Sequence, residues 1–335
     1  MARYLGSSFV YGVKMKTIIF FALLLGGLSQ AQTVNLEVSS PLYDFAYLSG
    51  LKPPTQYPVT FSEGDFEAKP WMKEFEWVIV VNKATAGDDR QSLRIYRHQR
   101  LIGTNEILQD IQSHPKDLSW HIKDLSKRTW APGVFKVSTG RDEFEAAGNH
   151  GAQRDNYTIT PSGYFVPQYF TKKHKSEAYS SRSCGGDPVV IYGERIEGTF
   201  WARRRVRYVQ QVLKPAKCIY MEDVVFFNGG IGLHRAISGT ESNLGTKASG
   251  GCVRLPGVIS TYLFKNLQAA KSSVDLPLVN QDGTVALDEA GNIIRTARNE
   301  SVWGELDTRS VLIIVHETVR TIPKSLIPRP RPFKP

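Results

Sequence analysis

Cysteine is scarce in this chain: only Cys184, Cys218 and Cys252 occur among 335 residues. Three are too few for a small disulfide-framed scaffold, and no CxxC pair is present to build a structural zinc site. Histidine is thinly spread. No two of the seven fall at the i,i+4 spacing of a helical zinc-protease site, so no metal is expected. No internal repeat is visible, which argues against solenoids and propellers. The apolar run at residues 17–28, TIIFFALLLGGL, has twelve residues, short of the roughly 20 that a membrane-spanning helix needs. Acidic residues are also in deficit, 32 against 42 Lys and Arg, for a net charge of +10.

What is present is enough for a globular core, with 41% hydrophobic and 11% aromatic residues. Lys14 and Lys16 precede the apolar run, and small residues follow it up to Ala31. Residues 1–31 therefore read as a secretory signal peptide, and the protein is expected in the periplasm or cell envelope. Removing them removes three basic residues and no acid, which takes the charge from +10 to +7. A basic exported protein suits anionic partners such as carboxylate-rich peptides. Nucleic acid is not expected, because no recognition module is visible.

Residues 32–74 combine five prolines with aromatic residues, including Tyr57, Phe61 and Phe66. They read as an extended arm lying on the main domain. From residue 75 the chain turns β-rich. Trp77–Asn82, Ser92–Arg97, Val134–Thr139 and Val311–Val315 are short runs of β-branched and aromatic residues, as is the strand within Met221–Gly230. Residues 104–128 read as one or two short helices broken at His114-Pro115. Leu255–Ala270 reads as a helix with Pro256 in its first turn. Residues 284–296 read as a hairpin turning at Ala290-Gly291-Asn292. The Pro-rich tail at 321–335 reads as extended. The fold class expected is mostly β with a few helices, a sandwich or barrel with insertions.

The informative segment is His234–Arg254, HRAISGTESNLGTKASGGCVR. Cys252 follows two glycines, and His234 lies eighteen residues upstream. Acyl transfer needs a sulfur nucleophile, an imidazole to take its proton, and backbone N–H groups for the oxyanion. A glycine beside the nucleophile lets the backbone approach the substrate closely. By spacing alone, Cys252 could equally be an ordinary buried cysteine, and His234 a structural one.

Here the chain resembles the catalytic domain of the bacterial L,D-transpeptidases, cysteine enzymes that act on peptidoglycan stem peptides. Val137-Ser138-Thr139-Gly140 resembles the strand ending in S-T-G, and Thr160-Pro161-Ser162-Gly163-Tyr164-Phe165 the T-P-x-G-x-F turn. Val224–His234 resembles the strand entering the catalytic histidine. Ser249-x-Gly251-Cys252-Val253-Arg254 matches S-x-G-C-x-R. The resemblance covers residues 75–320, with insertions at about 171–217 and 271–310. It implies Cys252 as nucleophile, His234 as base, and Gly251 and Cys252 as sources of oxyanion N–H groups. Ser249, Gly250 and Arg254 would lie at the substrate.

The implied reaction is transfer of a tetrapeptide stem, through a Cys252 thioester, to an amine. Transfer to water would make the protein an L,D-carboxypeptidase instead. No metal and no cofactor are implied, and carbapenem-type β-lactams become candidate covalent inhibitors. Two residues depart from the pattern. Gly250 stands where the family usually has histidine, and Arg235 where it usually has glycine, so Arg235 is expected to crowd the loop beside the base. A non-catalytic peptidoglycan binder is the contrasting reading. Cys184 and Cys218 flank an insertion and are either paired or separate thiols. The run Arg203-Arg204-Arg205-x-Arg207 is either a solvated face or a rim that attracts carboxylates.

Overall fold

The computed structural model describes residues 53–112, 125–180, 184, 189–197, 204–213, 218–296, 300–301, 304–305 and 309–319. The leader at 1–31, the His114-Pro115 break and the tail at 321–335 lie outside the described residues, as do the side chains of the arginine run.

Strands β1 (Trp77–Asn82) and β2 (Ser92–Arg97) begin where the apolar runs begin. After them come β3 (Arg100–Leu101), β4 (Thr129–Ala131), β5 (Val134–Lys136), β6 (Gly163–Phe165) and β7 (Tyr169–Lys175). A two-stranded ribbon follows, β8 (Val189–Glu197) and β9 (Arg204–Leu213), which among the described residues forms a sheet of its own. Then come β10 (Tyr220–Asn228), β11 (Ile231–Arg235), β12 (Val253–Leu255) and β13 (Val311–His316). The larger sheet has the order β4-β5-β2-β1-β13-β6, with β3 also on β2; the smaller is β12-β11-β10-β7. Neither sheet closes on itself. The fold is mostly β, as expected, and of the two architectures it is a sandwich and not a barrel.

Strands β1 and β13 pair in parallel, and every residue of both is buried. A parallel pair covered on both faces explains why WVIVVN and VLIIVH are almost continuously apolar. On one face, Trp77, Ile79 and Val81 meet Val225, Leu233 and Val253 of the smaller sheet, with Val258, Ile259 and Leu263 of the helix α3 (Gly257–Ala269). On the other face, Val78, Val80, Leu312 and Ile314 meet Phe61, Phe66, Trp71, Met72 and Phe75.

Of the segment read as an extended arm, residues 32–52 lie outside the described residues; residues 53–74 contribute to the second core, and part of them is helical. Residues Asp65–Ala68 form a single turn, α1, and Pro70–Glu74 a 3-10 turn. Pro70 stands at the start of its turn, where its missing N–H does no harm. Helix α2 (Thr104–Gln112) and the 3-10 turn Leu125–Arg128 occupy the region read as helical. The expected proline-led helix starts two residues later than read, at Gly257, because Leu255 is held in β12 opposite Arg235. No helix among the described residues is long and apolar enough to cross a membrane.

Candidate active site

Strands β11 and β12 run parallel, with Leu233 opposite Val253 and His234 opposite Arg254. Paired residues on adjacent strands point to the same face. Leu233 and Val253 point into the core. His234 and Arg254 therefore share the other face, and Cys252, one step before β12, shares it too. The Gly232 N–H lies against the Cys252 sulfur.

His234 is 2% exposed, and its Nδ1 lies 2.6 Å from the Arg235 carbonyl oxygen. A carbonyl only accepts, so Nδ1 carries the proton and Nε2 keeps its lone pair. Burial lowers the His234 pKa to about 4; the Arg235 carbonyl opposes this, while Arg254 and His174 add to it. Burial raises the Cys252 thiol pKa, and the Gly232 N–H and Arg254 pull it part of the way back. Burial thus favours the neutral form of both the thiol and the imidazole. Among the described residues Cys252 is the free cysteine, with Sγ 3.6 Å from the Gly230 carbonyl.

The loop before Cys252 is built from three sequence segments far apart in the chain. Gly251 sits at φ +119°, where a Cβ would meet Ile231 Cδ1 at 2.9 Å. The Ser249 hydroxyl accepts from the Gly251 N–H at 3.1 Å and donates to the Cys252 carbonyl. Thr160 Oγ1 donates to the Gly251 carbonyl at 2.6 Å and accepts from the Gly140 N–H at 2.8 Å. Ser138 and Arg254 exchange backbone bonds of 3.0 and 2.9 Å. Arg254 Nη1 donates to the Ala248 carbonyl at 3.2 Å. Ser249 therefore shapes this loop with both sides of its hydroxyl. Arg254 holds the loop while its charge favours the thiolate.

Arg235 does not crowd the base. Its Nη1 pairs with Glu222 at 2.8 Å, and its Nη2 reaches Asp223 at 3.3 Å and Thr261 of α3 at 3.0 Å. Strand alternation turns it away from His234, because neighbouring side chains on a strand point to opposite faces. Gly250 has a different explanation. A Cβ there would fall 2.1 Å from Tyr179 Oη and 2.5 Å from Tyr179 Cε2. The place of a side chain at 250 is taken by Tyr179.

Cys252, His234, Ser249, Gly250 and Arg254 line one cavity of about 1030 Å³. Tyr169 stacks on Phe226 at 6.2 Å, and His174 meets Phe226 edge-on at 5.0 Å, which makes one wall aromatic. Arg141, Arg154 and Arg254 also line it. Cys184 and Cys218 form a disulfide, so the paired reading holds. Sequence reasoning missed Tyr179, His174 and Gln91. Gln91 Oε1 accepts from both the N–H and the hydroxyl of Thr139 at 2.9 Å. No motif marks any of these three; only pairing across the sheets brings them in. No group of three or more metal-ligating side chains occurs among the described residues.

Residues 119–285 match the family model YkuD, the L,D-transpeptidase catalytic domain. Among solved structures, an L,D-transpeptidase from Mycobacterium smegmatis is 10% identical, with a TM-score of 0.31 over 72% of this chain and 59% of its own. L,D-transpeptidase 3 from Mycobacterium tuberculosis is 13% identical, with a TM-score of 0.32 over 72% of this chain and 62% of its own. The chain thus spans about three fifths of the length of these structures. No curated protein matches it.

Proposed function

Since this chain belongs to the L,D-transpeptidase catalytic-domain family, we propose that it is a peptidoglycan L,D-transpeptidase working through a Cys252 thioester. The observation that carries this reading is the shared face of β11 and β12, with Cys252 and His234 on one cavity and His234 Nε2 left as a base. Cys252 attacks the carbonyl of the L-centre in a tetrapeptide stem as its proton passes to His234. His234 then protonates the departing D-amino acid. The Gly251 N–H is engaged by Ser249, so the oxyanion donor we assign is the Cys252 N–H. Gly251 contributes through its left-handed backbone. Arg141, Arg154 and Arg254 supply positive charge for the stem's carboxylates. With residues 1–31 read as a signal peptide, the proposed site of this work is the periplasm or cell envelope.

The test is mass spectrometry of tetrapeptide muropeptides incubated with the protein, beside Cys252→Ala. The expected result is a cross-linked dimer, or an exchanged peptide when a D-amino acid is added, and neither from the variant. A tripeptide alone would make the protein an L,D-carboxypeptidase. No product and no Cys252 adduct would make it a binder.

A further inference from the structure

Gly250 has a backbone conformation open to any residue, because its φ lies outside the left-handed range reached by Gly251. What bars a side chain there is Tyr179. Its ring is fixed from three sides. Tyr179 Oη donates to Glu145 Oε2 at 2.7 Å and accepts from Arg141 Nη2 at 3.4 Å. Arg141 in turn bridges Glu145 and Glu143, each at 2.7 Å. The turn that carries Tyr179 is tied down by Ser176 N–H to the Ile219 carbonyl at 2.8 Å, and by Gln153 N–H to the Ala178 carbonyl at 2.7 Å.

The direction of these bonds decides what Tyr179 offers. Glu145 is buried, and its Oε1 has no hydrogen-bond partner among the described residues. An ionised carboxylate only accepts, so the phenol proton is committed to Glu145. Arg141 Nη2 takes one lone pair of the phenol oxygen and leaves one, and Tyr179 lines the cavity that Cys252 also lines. It presents an acceptor there and no donor, which suits an N–H group and not an oxyanion. Gly250 precedes Cys252 by two residues, at most about 7 Å of chain. Tyr179 therefore packs on the loop that delivers Cys252 and lines the same cavity.

We propose that Tyr179 Oη is the hydrogen-bond acceptor that aligns the incoming amine for attack on the Cys252 thioester. This rests on the transpeptidase reading above. In that step the C–N bond forms and the C–S bond breaks. The amine's second N–H proton passes to His234 Nε2, and from there to the Cys252 sulfur. Water can attack without the alignment, so Tyr179 selects the acceptor class: primary amines over water.

The test compares wild type with Tyr179→Phe, which keeps the ring and deletes the acceptor. Thioester is formed with a tetrapeptide donor, and its decay is followed into tripeptide, into exchange product with D-methionine, and into dimer with a second tetrapeptide. The aminolysis-to-hydrolysis ratio should fall about tenfold in at least one amine arm, the loss of one hydrogen bond; the arm affected identifies the natural amine. Gly250→Ala should lower the same ratio by pushing Tyr179 aside, and it decides the matter if Tyr179→Phe does not fold. A ratio within twofold of wild type, or equal loss in both channels, overturns the assignment. A wild type that forms no thioester overturns the transpeptidase reading itself, and this one with it.

Discussion

His234 carries the site's main electrostatic consequence of burial. Its folded-state pKa is about 4, against 6.5 for an ordinary imidazole. Between those values the unfolded chain holds the proton that the folded chain refuses, so acidification favours unfolding. The contribution is complete above about pH 6.5 and is lost as pH falls toward 4, on the order of 3 kcal/mol for this ring. Denaturant unfolding at pH 7 and pH 4.5 should therefore show a larger loss of stability in wild type than in His234→Asn. The same ring keeps its lone pair in mild acid. The acid limb of kcat/KM for thioester formation should lie near pH 4, and a limb near 6.5 would refute the buried neutral base. Cys252 and His234 were legible as residues, because a motif ties each to its chemistry. Tyr179, His174 and Gln91 were not. Their roles come from partners such as Glu145, Phe226 and Thr139, which sit 34, 52 and 48 positions away in the chain.

At the scale of the element, the cysteine loop is a junction and not a free turn. Ser138, Thr139 and Gly140 pair with one side of it, Thr160 closes the other, and Tyr179 lies on Gly250. A histidine at 250 would put its Cβ, and then a ring, through the Tyr179 hydroxyl. Gly250→His should therefore give no faster single-turnover thioester formation than wild type, and should cost about 1–3 kcal/mol of stability, as overpacked sites do. A tenfold acceleration would show that the glycine is a defect in an ordinary site and that Tyr179 yields easily. Strands β1, β2 and β13 were legible to the residue or nearly so, β1 and β13 because their apolar runs reflect burial on both faces, and β2 by its Leu93, Ile95 and Tyr96. The hairpin was legible as well: Gly291 N–H closes its turn on the Asp288 carbonyl, and Leu287 faces Ile293 across it. The helical turns at 65–74 were hidden because Pro70 read as a breaker, while Phe66 and Trp71 are core.

On the scale of the whole molecule, two cores share one central pair of strands, and the site lies on the face of the smaller sheet turned away from both. The aromatic residues of segment 53–74 are therefore structural, and the site's chemistry depends on what braces its outer wall. That wall includes the turn bearing Tyr179, whose Ser180 hydroxyl both donates to the Ile219 carbonyl at 3.1 Å and accepts from the Ile219 N–H at 2.9 Å. Ile219 follows Cys218, and Cys218 is bonded to Cys184 across 34 residues. Opening that disulfide frees a loop whose closure is worth roughly 4 kcal/mol in the chain-entropy account. Cys184→Ser should thus lower the midpoint of thermal unfolding by several degrees, by an amount that reductant reproduces in wild type. Cys252 stands one residue before β12, behind hydrogen bonds that the disulfide does not make, so the variant should still form its thioester below the unfolding temperature. Loss of the thioester with an unchanged midpoint would mean that Cys184, and not Cys252, is the working sulfur.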